Sequence, residues 1–312
     1  MKKVVITGAT GSVGIGLIEE LIKQDICILA LCHKESKRVN NIPKHPLIRI
    51  KYCNLDELCT VQINSNYDVF FHLAWQGTTG EGRIEHRQQI KNIQYTCDAV
   101  ELAEKLGCHT FVGVGSQAEF GRKNEKLSGN TYGKPENAYG IAKLCAGMLT
   151  RTMCEEKKIK HIWIRLLSVY GPYDNENSFI ISTVKNMIQN KDIFCTQGKQ
   201  IWDYLYYKDA AKAIILLSQK GKSYKSYCVG SGEEVTIKDY IKQIRIYTNS
   251  SSKIVWGAIP YSKNQVMYLC ADINELKQDT GFCQEFTFER GIKEIICFLE
   301  KYRMEEIKVC KQ

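Results

Sequence analysis

No two of the fourteen cysteines in this 312-residue chain are spaced C-x-x-C, which removes the short-spaced zinc ligand sets and the dithiol redox motif from consideration. Several of them (Cys27, Cys53, Cys97, Cys145 and Cys297) fall inside apolar strand or helix patterns, where a free thiol behaves as a small hydrophobe. Reduced thiols and no metal are expected. No apolar run approaches the roughly 18 residues of a membrane span. The first strand pattern begins within a few residues of Met1, leaving no room for a secretory leader, so a cytoplasmic protein without a membrane partner is expected. Linkers, low-complexity stretches and internal repeats are missing too. The net charge is +9, but the basic residues are spread over 34–49, 122–134 and the C-terminal third, with no basic stripe carrying interleaved aromatics. That distribution argues against a nucleic-acid partner and for a solvated basic surface on a protein that handles anions.

What the chain does have is punctuation by glycine. Val4-Val5-Ile6 reads as a buried parallel strand, Thr7-Gly8-Ala9-Thr10-Gly11-Ser12-Val13-Gly14 as a turn, and Ile15 to Lys23 as a helix with apolar residues at helical spacing. In such a turn Gly8 permits the tight reversal, Gly11 lets backbone approach phosphates, and Gly14 lets the helix pack on the strand, with helix N-terminal amides facing the anion. Glycine-rich turns also occur in plain loops; the order strand, turn, helix is what points to a dinucleotide.

Tyr139 and Lys143 lie four residues apart in a segment that Asn137 caps and that runs to about Lys158, so they share a helix face. A phenol with a pKa near 10 exchanges protons poorly at neutral pH, and a neighbouring cation favours its ionised form. The pair is an acid-base device or, read alone, a surface tyrosine beside a solvated lysine. Phe111-Val112-Gly113-Val114 adds a strand that delivers the Ser116 hydroxyl at its C-terminal end, where ligands of open α/β sheets sit.

The second strand, Ile26 to Cys32, runs into His33-Lys34-Glu35-Ser36-Lys37-Arg38. No carboxylate occupies its tip, the place from which an acidic residue repels a 2′-phosphate. Basic and hydroxylated residues there favour NADP(H); an ordinary charged loop, and NAD(H), remain the alternative.

In these residues the chain resembles the extended short-chain dehydrogenase/reductase family, the nucleotide-sugar epimerases, dehydratases and reductases. The resemblance extends over nearly the whole length, through Thr7-Gly8-x-x-Gly11-x-x-Gly14, His72-Leu73-Ala74, Asn92, Tyr139-x-x-x-Lys143, Arg165 to Pro172, Trp202 to Asp209, Val229 to Gly232 and Thr280-Gly281-Phe282. Strand and helix patterns alternating from Lys3 to Arg165 already indicate a doubly wound parallel sheet. The resemblance implies a Rossmann-type α/β fold with a smaller, discontinuous C-terminal substrate lobe: 1–172 and 198–222 bind dinucleotide, 173–197 and 223–312 bind substrate. It implies Ser116, Tyr139 and Lys143 as candidate catalytic residues. Cofactor contacts would come from Gly8, Thr10, Gly11, Ser12, Val13, Gly14, His33, Lys34, Asn54, Leu55, Leu73, Ala74, Trp75, Asn92, Tyr139, Lys143, Leu166 and Val169. Asn92 would support the site or, alternatively, be a helix-surface amide. Substrate contacts would come from Ser116, Gln117, Tyr139, Ser168 and Trp202. It also implies a homodimer formed through the long helices at 83–106 and 138–158.

Departures from the family pattern narrow the reaction. Dehydratases of the family carry Thr-Asp-Glu at the catalytic hydroxyl; here the stretch is Ser116-Gln117-Ala118, which lacks the acid and base that elimination of water needs. Glu119 is a structural hydrogen-bonder or surface residue, with a rescue role left open. Carbonyl reduction or 4-epimerisation of a nucleotide-linked sugar remains, and the NADP reading favours reduction of the C4 ketone of a 4-keto-6-deoxyhexose over NAD-dependent 4-epimerisation. A non-catalytic NADP-binding regulator would have little reason to keep Ser116, Tyr139 and Lys143 together. Trp202 stands where the family commonly has a phosphate-clamping arginine, so another cation (Lys199 or Lys185) takes over, or the indole stacks on substrate, or it belongs to the core.

Overall fold

The structure, a computed structural model, describes residues 1–309, the side chains as far as Lys301; positions 310–312 of the expected second lobe lie outside it. Strands β1 (Lys3–Thr7), β2 (Cys27–Cys32), β3 (Ile48–Tyr52), β4 (Val69–His72), β5 (Thr110–Ser116) and β6 (Lys160–Leu166) build a parallel sheet. Val4 and Ile6 enter one apolar layer and Val5 the other, because successive strand side chains point to opposite faces and both faces are covered. Helix α1 (Ser12–Ile22) lies on the first face; α2 (His86–Lys105) and α3 (Ala138–Glu156), packed on each other, bury Ala99, Val100, Leu102, Ala103 and Cys154 in the second layer.

Beyond β6 the chain forms β7 (Ser168–Tyr170), α4 (Phe179–Ile188), β8 (Ile193–Cys195), β9 (Ile201–Trp202), β10 (Tyr204–Tyr206) and α5 (Tyr207–Lys220). Strand β10 pairs with β7, and α5 returns to pack on α1, where Gly16 leaves room for the Tyr207 ring. Strand β11 (Lys225–Val229) then joins the sheet beside β6, giving the order β11-β6-β5-β4-β1-β2-β3. This corrects the expected boundary at 223. Tyr227 and Val229 are fully buried in the sheet's own apolar layer, so 225–229 is a sheet strand and not part of a separate lobe.

The remainder comprises β12 (Val235–Thr236), α6 (Ile237–Tyr247), β13 (Ile254–Trp256), β14 (Tyr268–Leu269), α7 (Asn274–Thr280) and α8 (Phe288–Val309). Strand β9 sits between β12 and β14, and β8 pairs with β13. Helices α4, α6 and α8 close a third apolar cluster around Tyr170, Tyr206 and Tyr240. Among the described residues the cysteines are free thiols, no helix is long and apolar enough to cross a membrane, and no group of His, Cys, Asp and Glu could hold a metal ion. Cys53 is buried and Cys27, Cys97 and Cys145 are half-buried, but Cys297, expected inside an apolar pattern, is exposed.

Strand order reverses between β1 and β4, with β2 and β3 on one side and β5, β6 and β11 on the other. Such a switch point opens a crevice at the C-terminal ends of the strands.

Candidate functional site

At that crevice Gly8 has φ +74° and its backbone lies so close to the β4 loop that a Cβ would come within 2.7 Å of the Ala74 nitrogen; only glycine fits there without strain. The Gly11 amide donates to the Gly8 carbonyl at 3.2 Å, and a Cβ on Gly14 would strike that same carbonyl at 2.3 Å. Helix α1 therefore starts hard against the turn. Its first turn has no acidic residue and no side-chain cap, and the buried Ser12 hydroxyl has no hydrogen-bond partner. Uncapped amides at a helix N-terminus favour an anion, and these residues fit the pyrophosphate of a dinucleotide.

The adjoining cleft holds about 270 Å³ and is lined by Gly8, Thr10, Gly11, His33, Arg38, Leu55, Leu73, Ala74 and Trp75 among others. Thr7, which sequence reasoning missed, ties the two loops together: its hydroxyl bonds His72 Nδ1 at 2.9 Å and accepts from the Ala74 amide at 3.4 Å. Burial pushes the His72 imidazole down to about 3, so it stays neutral. Val13, Leu166 and Val169, expected at the cofactor, pack against the apolar layer beside the sheet.

The basic tip of β2 differs from expectation. The Lys34 ammonium is paired with Glu57, a carboxylate from the next loop. Asn54 does not line the cleft; it accepts from the Lys34 amide at 3.3 Å and caps the short turn Leu55–Glu57. His33 Nδ1 accepts from the Glu35 amide. Arg38 faces the cleft and donates to the Tyr173 carbonyl at 2.6 Å.

At the far end the structure brings Ser116, Tyr139 and Lys143 together. Asn137 caps α3 by accepting from the Gly140 amide at 2.9 Å, and this fixes the helix phase that turns Tyr139 and Lys143 inward. Both are buried, which rules out the surface alternative. Ser116 Oγ accepts from the Ala118 amide at 3.2 Å and is near enough to the Tyr139 phenol to favour its ionised form. Lys143 Nζ donates to the Val114 carbonyl at 2.6 Å, and desolvation pulls the ammonium down to about 7. Burial pushes the Tyr139 phenol up, opposed by Ser116 and by Arg83. The Arg83 guanidinium stands 4.3 Å from the Tyr139 ring centroid, nearer than Lys143 at 5.9 Å. Nothing in the sequence relates Arg83 to Tyr139, since the contact depends on how one loop folds over another helix.

Glutamine and asparagine on α2 hold that loop. Asn92 is no surface amide: it is buried, donates to the Gln76 carbonyl at 2.8 Å and accepts from the Gln76 amide at 2.9 Å. Gln89 donates to the carbonyls of Gly77 and Gly82 and accepts from the Trp75 indole at 2.8 Å. Gln117 is half-buried and Ala118 buried in the turn Gln117–Phe120. Glu119 is fully buried, bound to Arg165, Trp163 and the Ser116 amide. Burial raises its carboxyl, and Arg165 opposes that rise. Trp202 donates to Ser168 Oγ at 2.8 Å and packs partly against the core, so two expected substrate residues meet. Lys185 pairs with Glu176 at 2.8 Å on a second cavity of about 680 Å³ that also includes Arg38 and Tyr173.

Residues 4–230 match the model of the NAD dependent epimerase/dehydratase family. The CDP-abequose synthase of Salmonella muenchen is 29% identical over 304 residues, covering 96% of this chain and 98% of its own. That of Salmonella typhimurium is 27% identical over 306 residues, with 94% and 97% covered. Among solved structures, the UDP-N-acetylglucosamine 4-epimerase of Methanobrevibacter ruminantium M1 superposes with TM-score 0.88 at 21% identity over 96% of this chain and 99% of its own, which shows a common fold. With its parallel sheet, glycine turn and match over 4–230, the chain belongs to the NAD dependent epimerase/dehydratase family.

Proposed function

We propose that this protein reduces the C4 ketone of a nucleotide-linked 4-keto-6-deoxyhexose with NADPH. The observation that carries the reading is the buried Ser116, Tyr139 and Lys143 cluster, with Gln117 and Ala118 following Ser116 and the Glu119 carboxylate turned into the core against Arg165. Proton exchange with a carbonyl oxygen is provided for, whereas elimination of water lacks its acid and base.

In this reading Ser116 orients and polarises the carbonyl, Tyr139 donates the proton that its oxygen gains, and Lys143 binds the nicotinamide ribose. The dinucleotide rests on Gly8 to Gly14, with Leu73, Ala74 and Trp75 along its path, and supplies the hydride when bound. Trp202 and Ser168 face the sugar nucleotide, held with residues of 173–197 and those beyond β11. Arg38 is the cation at the adenosine end that favours a 2′-phosphate. Similarity to CDP-abequose synthases over nearly the whole chain supports testing CDP-linked sugars first. Exposed Ile90 on α2 and Ile141, Met148 and Leu149 on α3 form an apolar surface for pairing two copies of the chain as a homodimer.

One observation favours a second reading, NAD-dependent 4-epimerisation. With Lys34 occupied by Glu57, the β2 tip offers a 2′-phosphate less positive charge than its sequence promises. CDP-, dTDP-, GDP- and UDP-linked 4-keto-6-deoxyhexoses with NADPH test the reduction, and the corresponding 4-hydroxy sugar nucleotides with NAD test the epimerisation. Stoichiometric loss of nicotinamide absorbance with a product two hydrogens heavier is expected. From the 4-hydroxy sugar nucleotides, a product of unchanged mass and inverted C4, formed without net cofactor change, establishes the epimerase instead, and loss of water overturns both.

A further inference from the structure

The Lys143 ammonium lies 3.8 Å from the centroid of the Trp75 ring. Trp75 also meets Tyr139 edge to face, with centroids 6.1 Å apart and planes at 85°. The indole cannot drift from this position, because its N–H is tied to Gln89 on α2 and the same glutamine clamps the Gly77 and Gly82 carbonyls of the loop. Gln89 is itself buried. A lysine ammonium has three N–H donors. One goes to the Val114 carbonyl at 2.6 Å, and the side toward Trp75 faces an aromatic π-surface, so one donor remains uncommitted.

We infer that Trp75 is a positioning residue for Lys143: its indole, fixed by Gln89, braces the buried ammonium against Val114 and leaves a single N–H to meet the cofactor's nicotinamide ribose. The charged and titratable groups around that ammonium are few. Glu119 after β5 acts on it favourably through space, Tyr139 on α3 stands with its ring 5.9 Å away, and neutral His72 on β4 is the other titratable neighbour. None is a carboxylate in contact with it, and desolvation outweighs Glu119. The aromatic face therefore joins the Val114 carbonyl in compensating a charge withdrawn from water. An aliphatic side chain after Ala74 could line the cleft equally well, but it could not do this.

The inference rests on the dinucleotide reading of the cleft and not on the choice between reduction and epimerisation, so its test uses binding without any sugar. Calorimetry compares NADPH with 2′,5′-ADP, which has the adenosine end and lacks the nicotinamide ribose. In Trp75→Leu, NADPH affinity is expected to fall about tenfold with 2′,5′-ADP affinity unchanged, and Trp75→Phe, which keeps an aromatic face, recovers most of the loss. Lys143→Met loses a similar amount. The double variant loses no more than Lys143→Met alone, because the indole acts through the ammonium. Additive losses, equal weakening of both ligands, or unchanged NADPH binding in Trp75→Leu overturn the inference. Should Trp75→Leu not fold, Gln89→Met, which unties the indole, carries the same cycle. A wild-type protein that binds NADH alone takes the same test with NADH against 5′-ADP, and one that binds neither NADPH nor NADH defeats the dinucleotide reading itself.

Discussion

Arg165 donates from Nε to Glu119 Oε2 at 2.8 Å, an ion pair whose carboxylate is fully buried and whose other oxygen holds the Ser116 amide at 2.8 Å. The pair sits below the turn that presents Ser116, and the Trp163 indole completes it at 3.1 Å. Gly115 makes this possible, since a Cβ there would lie 2.1 Å from Glu119 Oε1. The carboxylate is thus a fixed support for the Ser116 turn.

Removing that support should be costly. Glu119→Ala strands the Arg165 guanidinium in the interior, and breaking a buried pair from one side costs about 3–5 kcal/mol. Urea denaturation followed by circular dichroism is expected to show a loss of that order. A change within experimental scatter contradicts the structural role.

Tyr139→Phe removes one hydroxyl from a ring that Trp75 and Arg83 continue to hold. Fold and cofactor affinity should persist while turnover drops at least about 10²-fold for want of the proton donor. Steady-state kinetics beside calorimetry on the same sample separates the two effects.

Lys143 links stability to pH. Its ammonium, held at about 7 in the folded chain against an ordinary 10.5, releases its proton where the unfolded chain still keeps one. Stability contributed by this group therefore rises with pH between about 7 and 10. Lys143→Met should flatten that rise relative to wild type in denaturation series across the window. Parallel curves for the two proteins would show that burial does not shift the group.

Gly8→Ala places a Cβ 2.7 Å from the Ala74 nitrogen on backbone with φ +74°. Strain of about 1–3 kcal/mol is expected, together with loss of dinucleotide affinity as the β1 and β4 loops part. Calorimetric binding equal to wild type would mean that the close approach of Gly8 to Ala74 is dispensable.

Local chemistry was legible in the sequence wherever it obeys a fixed spacing. The turn from Gly8 to Gly14, the cap at Asn137 and the four-residue step from Tyr139 to Lys143 each follow from helix and strand geometry within a few residues, and the alternation of strand and helix patterns indicated the parallel sheet.

Tertiary structure alone decided what each of those side chains meets. The placing of β11 at the sheet edge, the capture of Lys34 by Glu57, the inward turn of Glu119 onto Arg165 and the stacking of Arg83 on Tyr139 and of Lys143 on Trp75 join residues 23 to 68 positions apart, from Lys34 and Glu57 at the short end to Trp75 and Lys143 at the long one. A chain has no local preference for such partners. They are selected when burial withdraws a charge or donor from water and the nearest available group, from whichever strand or loop the fold delivers, must replace the lost solvation.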